Sequence, residues 1–205
     1  MARFILFLPL LFTLQTAIAQ GMGGMAAPRE AQLPDVDKET LILQQPSKWY
    51  PYHRTTDAKV DTFMFPTGQE PQDWEEALQT ERFLTTLGVT SARQVYEFRT
   101  QGSSCAEHSV RLTKEAQENG YSMAQWMENC TRADGAELVT MVKTIVGNEQ
   151  LYVINKIWKY SINDSEIEEW GRYLDSVYVC DPTIEGNAHP CRPPNGPPGG
   201  ARPQR

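Results

Sequence analysis

The pattern of apolar and polar positions is most strand-like in two neighbouring runs. Leu138 to Val146 is rich in Val, Thr, Met and Ile. After Gly147-Asn148-Glu149, the run Leu151 to Tyr160 places Tyr152, Ile154, Lys156 and Trp158 on one face and Leu151, Val153, Asn155 and Ile157 on the other. A run of strand-forming residues, a turn, and a second run with two assigned faces predict an antiparallel hairpin. Tyr121 to Thr131 also alternates, and Val110 to Lys114 reads as a shorter strand before it. Asn119-Gly120 between them is a tight-turn signal, because both residues tolerate positive φ. Further upstream, Thr62 to Pro66 reads as a short strand closed by Gly68. Trp74 to Thr85 fits a strand through Glu76, Leu78, Thr80, Arg82 and Leu84 as well as it fits a helix, and its period stays open.

Two segments change period. Thr90 or Ser91 is a good N-cap for a helix ending near Gly102, with Ala92, Val95, Tyr96 and Arg99 on one face. Asn163 with Glu166 makes a capping-box start for a second helix, in which Ile167, Trp170, Leu174 and Val177 form an apolar stripe. That stripe needs an apolar partner, and the hairpin offers a sheet face. The order is strands, helix, three antiparallel strands, helix. The expected class is α+β, an antiparallel sheet with two helices packed on it.

Composition supplies the boundaries. Arg3, the apolar run Phe4 to Leu14 and Ala17-Ile18-Ala19 form a secretory signal peptide over residues 1–19, cleaved before Gln20. The run is shorter than the ~18–20 residues of a membrane span, and no Cys follows the cleavage site to take a lipid. Residues 20–59 are expected as a flexible linker, rich in Gly, Met and Ala at its start, followed by a transitional segment. Residues 60–191 are the expected domain, and 192–205 a disordered Pro/Gly-rich tail of polyproline II character. Removing the signal takes the formal charge from −7 to −8. That balance argues against nucleic acid or an anionic membrane surface as partner, and no later stretch predicts stable membrane insertion.

Export also decides how the cysteines are read. Cys105, Cys130, Cys180 and Cys191 make an even count in an exported chain, which points to disulfides. Of three connectivities, Cys105–Cys130 and Cys180–Cys191 are favoured. No C-x₂-C pair suggests zinc. No nucleotide motif, EF-hand loop or cofactor signature is present, and the sequence nominates no catalytic residue, cofactor or metal. His53, His108 and His189 are scattered; His108 lies three positions after Cys105, but a disulfide removes that thiol from nucleophilic use. The acids Glu166, Glu168 and Glu169 suit a helix start. Asn129-Cys130-Thr131 and Asn163-Asp164-Ser165 match the N-glycosylation pattern, the first inside a strand with a disulfide Cys. The aromatic segment Trp49-Tyr50-Pro51-Tyr52-His53 either packs on the domain or forms a contact surface through Trp49, Tyr50 and Tyr52.

Several runs resemble a known group: Gly68-Gln69 with Asp73-Trp74-Glu75-Glu76, Gly120-Tyr121 with Trp126 and Cys130, Val146-Gly147-Asn148-Glu149-Gln150-Leu151-Tyr152-Val153, and Trp170 with Tyr173-Leu174, Val177 and Cys180-Asp181. Over about residues 60–191 they resemble a family of short exported proteobacterial proteins of unknown function. The order of elements is similar to the PsbP-like α+β sandwich. The resemblance implies an envelope setting, in the periplasm or beyond it, and assigns no functional residue. The expected role is non-enzymatic: binding, or an envelope accessory function, with an envelope protein as partner. One alternative is a small hydrolase with its acids or His108 at the site. Another is a structural interaction partner engaging through the Pro-rich tail or the aromatic segment.

Overall fold

The computed structural model describes residues 39–101, 104–184, 189 and 191. The segments expected as signal peptide and Gly/Met-rich linker, and the expected tail 192–205, lie outside the described residues.

The elements run β1 (Thr40–Ile42), β2 (Trp49–Thr55), β3 (Lys59–Pro66), β4 (Glu76–Phe83), α1 (Ala92–Thr100), β5 (Glu107–Glu118), β6 (Tyr121–Thr131), β7 (Glu137–Val146), β8 (Leu151–Trp158), α2 (Asp164–Asp175) and β9 (Tyr178–Cys180). Strands β2 to β8 form one seven-stranded sheet in the order β2-β3-β4-β8-β7-β6-β5, and every neighbouring pair is antiparallel. The class is therefore α+β. The sheet is much larger than the three-stranded unit read from the sequence after α1. The run Trp74 to Thr85, open between two periods, contains β4, which pairs with β3 and the central β8. Segment 33–59, expected as transitional, supplies β1 and β2.

Strand alternation sorts the core into two layers. Met123, Met141, Ile145, Tyr152, Ile154 and Trp158 face the side on which Leu174, Val177 and Val179 pack. Ala124, Trp126, Val142, Val146, Leu151 and Val153 face Ala92 and Val95 of α1. The two helices thus cover opposite faces of the sheet. The face under α2 also receives the small β1–β9 ribbon, with Leu41 and Leu43 against the core.

Local signals explain the junctions. Asn119 (φ 50°) and Gly120 (φ 83°) form the β5–β6 turn, the left-handed pair that a two-residue hairpin requires. Asn119 also pins this turn to the far end of the chain: its amide donates to Val179 O at 3.0 Å and its Oδ1 accepts from His189 N at 3.0 Å. Ser91 caps α1 by accepting from Gln94 N. The capping box of Asn163 and Glu166 opens α2, a device worth about 1 kcal/mol. Asn163 is thereby engaged as a cap, and Asn129 sits within the β5–β6–β7 ladder. Disulfides Cys105–Cys130 and Cys180–Cys191 have Cα separations of 5.4 and 5.2 Å. The first ties the entry of β5 to β6; the second holds residue 191 against β9.

Candidate binding cleft

The side chains with the most unusual surroundings converge where β2, β4, β8 and α2 meet. Lys156 stands in β8 on the face shared by Tyr152, Ile154 and Trp158, so alternation drives it into the layer beneath α2, where it is fully buried. Its ammonium lies 4.8, 4.5 and 4.4 Å from the ring centres of Trp49, Trp158 and Trp170. Glu76 of β4 pairs with the same ammonium. A desolvated cation against an indole face gains about 2 kcal/mol or more. Burial nevertheless dominates and pushes the Lys156 pKa down to about 8, with Glu76 opposing the shift.

The tryptophans over Lys156 also shape the surface. Trp49 opens β2 and tilts against Trp170 of α2 at 5.4 Å. Tyr173, one helical turn on, meets Trp170 edge-on at 5.0 Å. The segment Gln44 to Ser47 forms the facing wall. It is fastened to α2 by the Tyr173 hydroxyl, which donates to Gln44 O at 2.7 Å. It is closed into a turn by Trp49 N donating to Pro46 O at 3.2 Å, with Lys48 at φ 64°. Between these walls lies an open cleft of ≈ 370 Å³ with Glu169 at its rim. A cleft of equal volume runs between Met127, Val139 and Ile167, but no aromatic ring lines it.

The sequence treats Trp49, Tyr50 and Tyr52 as one aromatic patch. The strand divides them. Trp49 pairs in register with Pro66, Tyr50 with Phe65 and Tyr52 with Phe63, so Tyr50 and Tyr52 project from the face opposite Trp49. There Tyr50, Phe65 and Trp74 pack at 6.1 Å, and Phe63 stacks on Phe65 at 6.2 Å. Tyr52 stays half exposed at 51%. Beside them Asp61, fully buried, pairs with Arg54 and Lys59.

The candidate catalytic groups do not converge. His53 and His108 sit on β2 and β5, the two opposite edges of the sheet. His189 stacks on Tyr178 at 4.8 Å. Glu166 is held in the capping box and Glu168 by Arg172. Cys105 is in a disulfide. Among the described residues no group of three or more His, Cys, Asp or Glu is placed to hold a metal, and no helix is long and apolar enough to cross a membrane.

The sequence nominates none of Trp170, Tyr173 and Lys156 for a site, and Glu76 counts there only as one of many carboxylates. Lys156 carried a signal, as the lone cation on the apolar face of its strand. Trp170 was visible as part of an apolar stripe, with nothing local to say that Trp49 would meet it.

No family model and no curated protein matches the chain. The resemblance to short exported proteobacterial proteins therefore rests on the residue runs alone. Among solved structures, the chain is similar to LpqN, involved in cell envelope biogenesis of Mycobacterium tuberculosis, at 14% identity over 71% of this chain and 86% of that one, with a TM-score of 0.46. It is also similar to the cyanobacterial PsbP of Synechocystis, at 12% identity over 77% of this chain and 98% of that one, with a TM-score of 0.46.

Proposed function

We propose that the protein is an exported accessory of the cell envelope that acts by binding, with the Trp49–Trp170–Tyr173 cleft as its contact surface. The carrying observation is the cleft itself, where three aromatic rings border open space above a buried, fully enclosed cation. Aromatic side chains with a polar rim are the residues that carry binding energy at contact surfaces. Two disulfides suit an oxidising compartment such as the envelope. The enzyme reading has less support, because the histidines stand on separate elements and, of the acids at the start of α2, Glu166 is held in the capping box and Glu168 by Arg172.

The test is capture from an envelope extract with the immobilised mature chain, alongside Ser47→Trp and Glu169→Arg. Both substitutions alter exposed residues of the cleft and leave the cage around Lys156 intact. A Tyr52→Ala variant controls for the opposite face. The expected result is a partner held by the parent and by Tyr52→Ala, and lost from both cleft variants. Equal retention by all four chains would sink the cleft as contact surface.

A further inference from the structure

We propose that residues 192–205 of this chain dock in the Trp49–Trp170–Tyr173 cleft, so that the free protein covers its own contact surface. Three observations carry this. The first is chemical. The segment reads Arg-Pro-Pro-Asn-Gly-Pro-Pro-Gly-Gly-Ala-Arg-Pro-Gln-Arg. Its proline pairs Pro193-Pro194 and Pro197-Pro198 favour polyproline II, the form in which peptides lie on grooves lined with aromatic rings. The rings at 5.4 and 5.0 Å spacing, with Pro46 across from them, make such a groove.

The second is charge. The segment carries Arg192, Arg202 and Arg205 and no acid. Glu169 borders the cleft as an exposed carboxylate, whereas Glu168 on the same helix is paired with Arg172. The third is reach. The Cys180–Cys191 disulfide anchors the start of the segment at β9, and Cys180 pairs with Thr40. From Thr40 the chain needs only four residues to arrive at Gln44, so Cys191 is within about 25 Å of the cleft. Fourteen residues of polyproline II span roughly 43 Å. Tethering then makes weak contacts sufficient: a segment binding at about 0.1 mM in isolation is mostly docked at an effective concentration near ~1 mM.

This inference shares its cleft with the binding role proposed above, but it needs no external partner, so its test stands apart from capture. Trp126 and Trp158 are buried, and a Trp74→Phe background leaves Trp49 and Trp170 as the half-buried indoles. Acrylamide quenching is measured on the full mature chain, on a chain ending at Cys191, and on the full chain with Arg192, Arg202 and Arg205 changed to Glu. Docking predicts quenching that rises roughly twofold in the shortened chain, rises partly in the charge-reversed chain, and falls again when a peptide of residues 192–205 is added. Equal quenching in all three chains, with no response to the peptide, overturns the proposal. Protection that depends on protein concentration and vanishes on dilution also overturns it, in favour of the same segment from a second copy.

Discussion

Two lysines lie fully buried on the same face of the same sheet, and the protein handles their charges in different ways. Lys143 in β7 donates to Leu174 O at 3.0 Å and Val177 O at 2.5 Å, and pairs with Glu118 at 2.7 Å. Lys156 in the adjacent β8 has one carboxylate and three indole faces. Burial lowers both pKa values, against the pull of Glu118 in one case and Glu76 in the other. The difference lies in what each charge does for its surroundings. Lys143 bonds two carbonyls at and just beyond the C-terminal end of α2: Leu174 O, which also accepts from Val177 N at 3.2 Å, and Val177 O; its positive charge complements the helix dipole there. Lys156 satisfies no backbone group. It organises the rings that build the cleft. The first lysine belongs to the fold and the second to the surface above it.

The largest expected effect tests the first half of that contrast. Lys143→Met should strip Val177 O and Glu118 of the Lys143 ammonium and leave Leu174 O with its backbone donors alone, and removing one member of a buried pair costs about 3–5 kcal/mol. Urea unfolding would measure it; a loss under about 1 kcal/mol would show that water replaces the ammonium at the end of α2. Next in size is Glu76→Gln, which leaves Lys156 among the indoles without its counter-charge. Glu76 keeps some solvent contact, with 23% of its side chain exposed, so the cost should be nearer ~2 kcal/mol at pH 7. It should shrink at pH 9.5, where Lys156 is already neutral in the folded chain. A cost that does not change with pH would detach Glu76 from the charge of Lys156.

The fold was legible where the pattern is local. The Leu138 to Val146 run and its partner after Gly147 are dense in apolar and β-branched residues because both faces of β7 and β8 are packed. The Asn163 capping box announces α2 within a residue. Strand β2 is hidden for the opposite reason. Residues 51–55 are exposed, Pro51 interrupts them, and neither face shows an apolar stripe. In β5 the half-buried positions His108, Val110, Leu112 and Ala116 are separated by polar residues of mixed size, so only its middle read as a strand. The cleft was less legible than the fold. Its walls come from Gln44 to Trp49 and from Glu169 to Tyr173, more than a hundred residues apart, and no local period records that meeting. Alternation alone would have separated Trp49 from Tyr50 and Tyr52, once residues 49–55 were read as a strand.

A smaller effect separates the two lysines directly. Lys156→Met keeps the length and apolar stem of the side chain, and exchanging a buried cation for a fitted apolar group changes stability by about 1 kcal/mol or less. The pH dependence should change more. The pKa of Lys156 is about 8 in the folded chain and 10.5 when unperturbed. Between those values the unfolded chain holds a proton that the folded chain has released, so stability rises with pH. Below pH 8 both states are protonated, and the full cost of burying the charge is present. Above about pH 10 the buried Tyr121 and Tyr152 work the other way, since burial raises their pKa values and ionisation favours the unfolded chain. The wild type should therefore gain stability from pH 8 to about 10, and Lys156→Met should gain less. Identical slopes would assign the rise to Lys143.

The finest test reads the cage and leaves the fold alone. An ammonium less than 5 Å from three indole rings perturbs their emission through its field, and that perturbation ends when the proton leaves. Tryptophan emission of the native protein should titrate with a midpoint near pH 8, the value to which burial brings Lys156. The same titration should vanish in Lys156→Met. It should persist in a variant of Trp74, whose ring lies against Lys159 at 3.7 Å on a different cation. Lys143 has no ring contact of this kind among the described residues, so a midpoint near 8 that survives Lys156→Met would mean that the cage does not report on its own lysine. The contrast between a lysine that holds backbone and a lysine that holds rings would then fail at its more distinctive member.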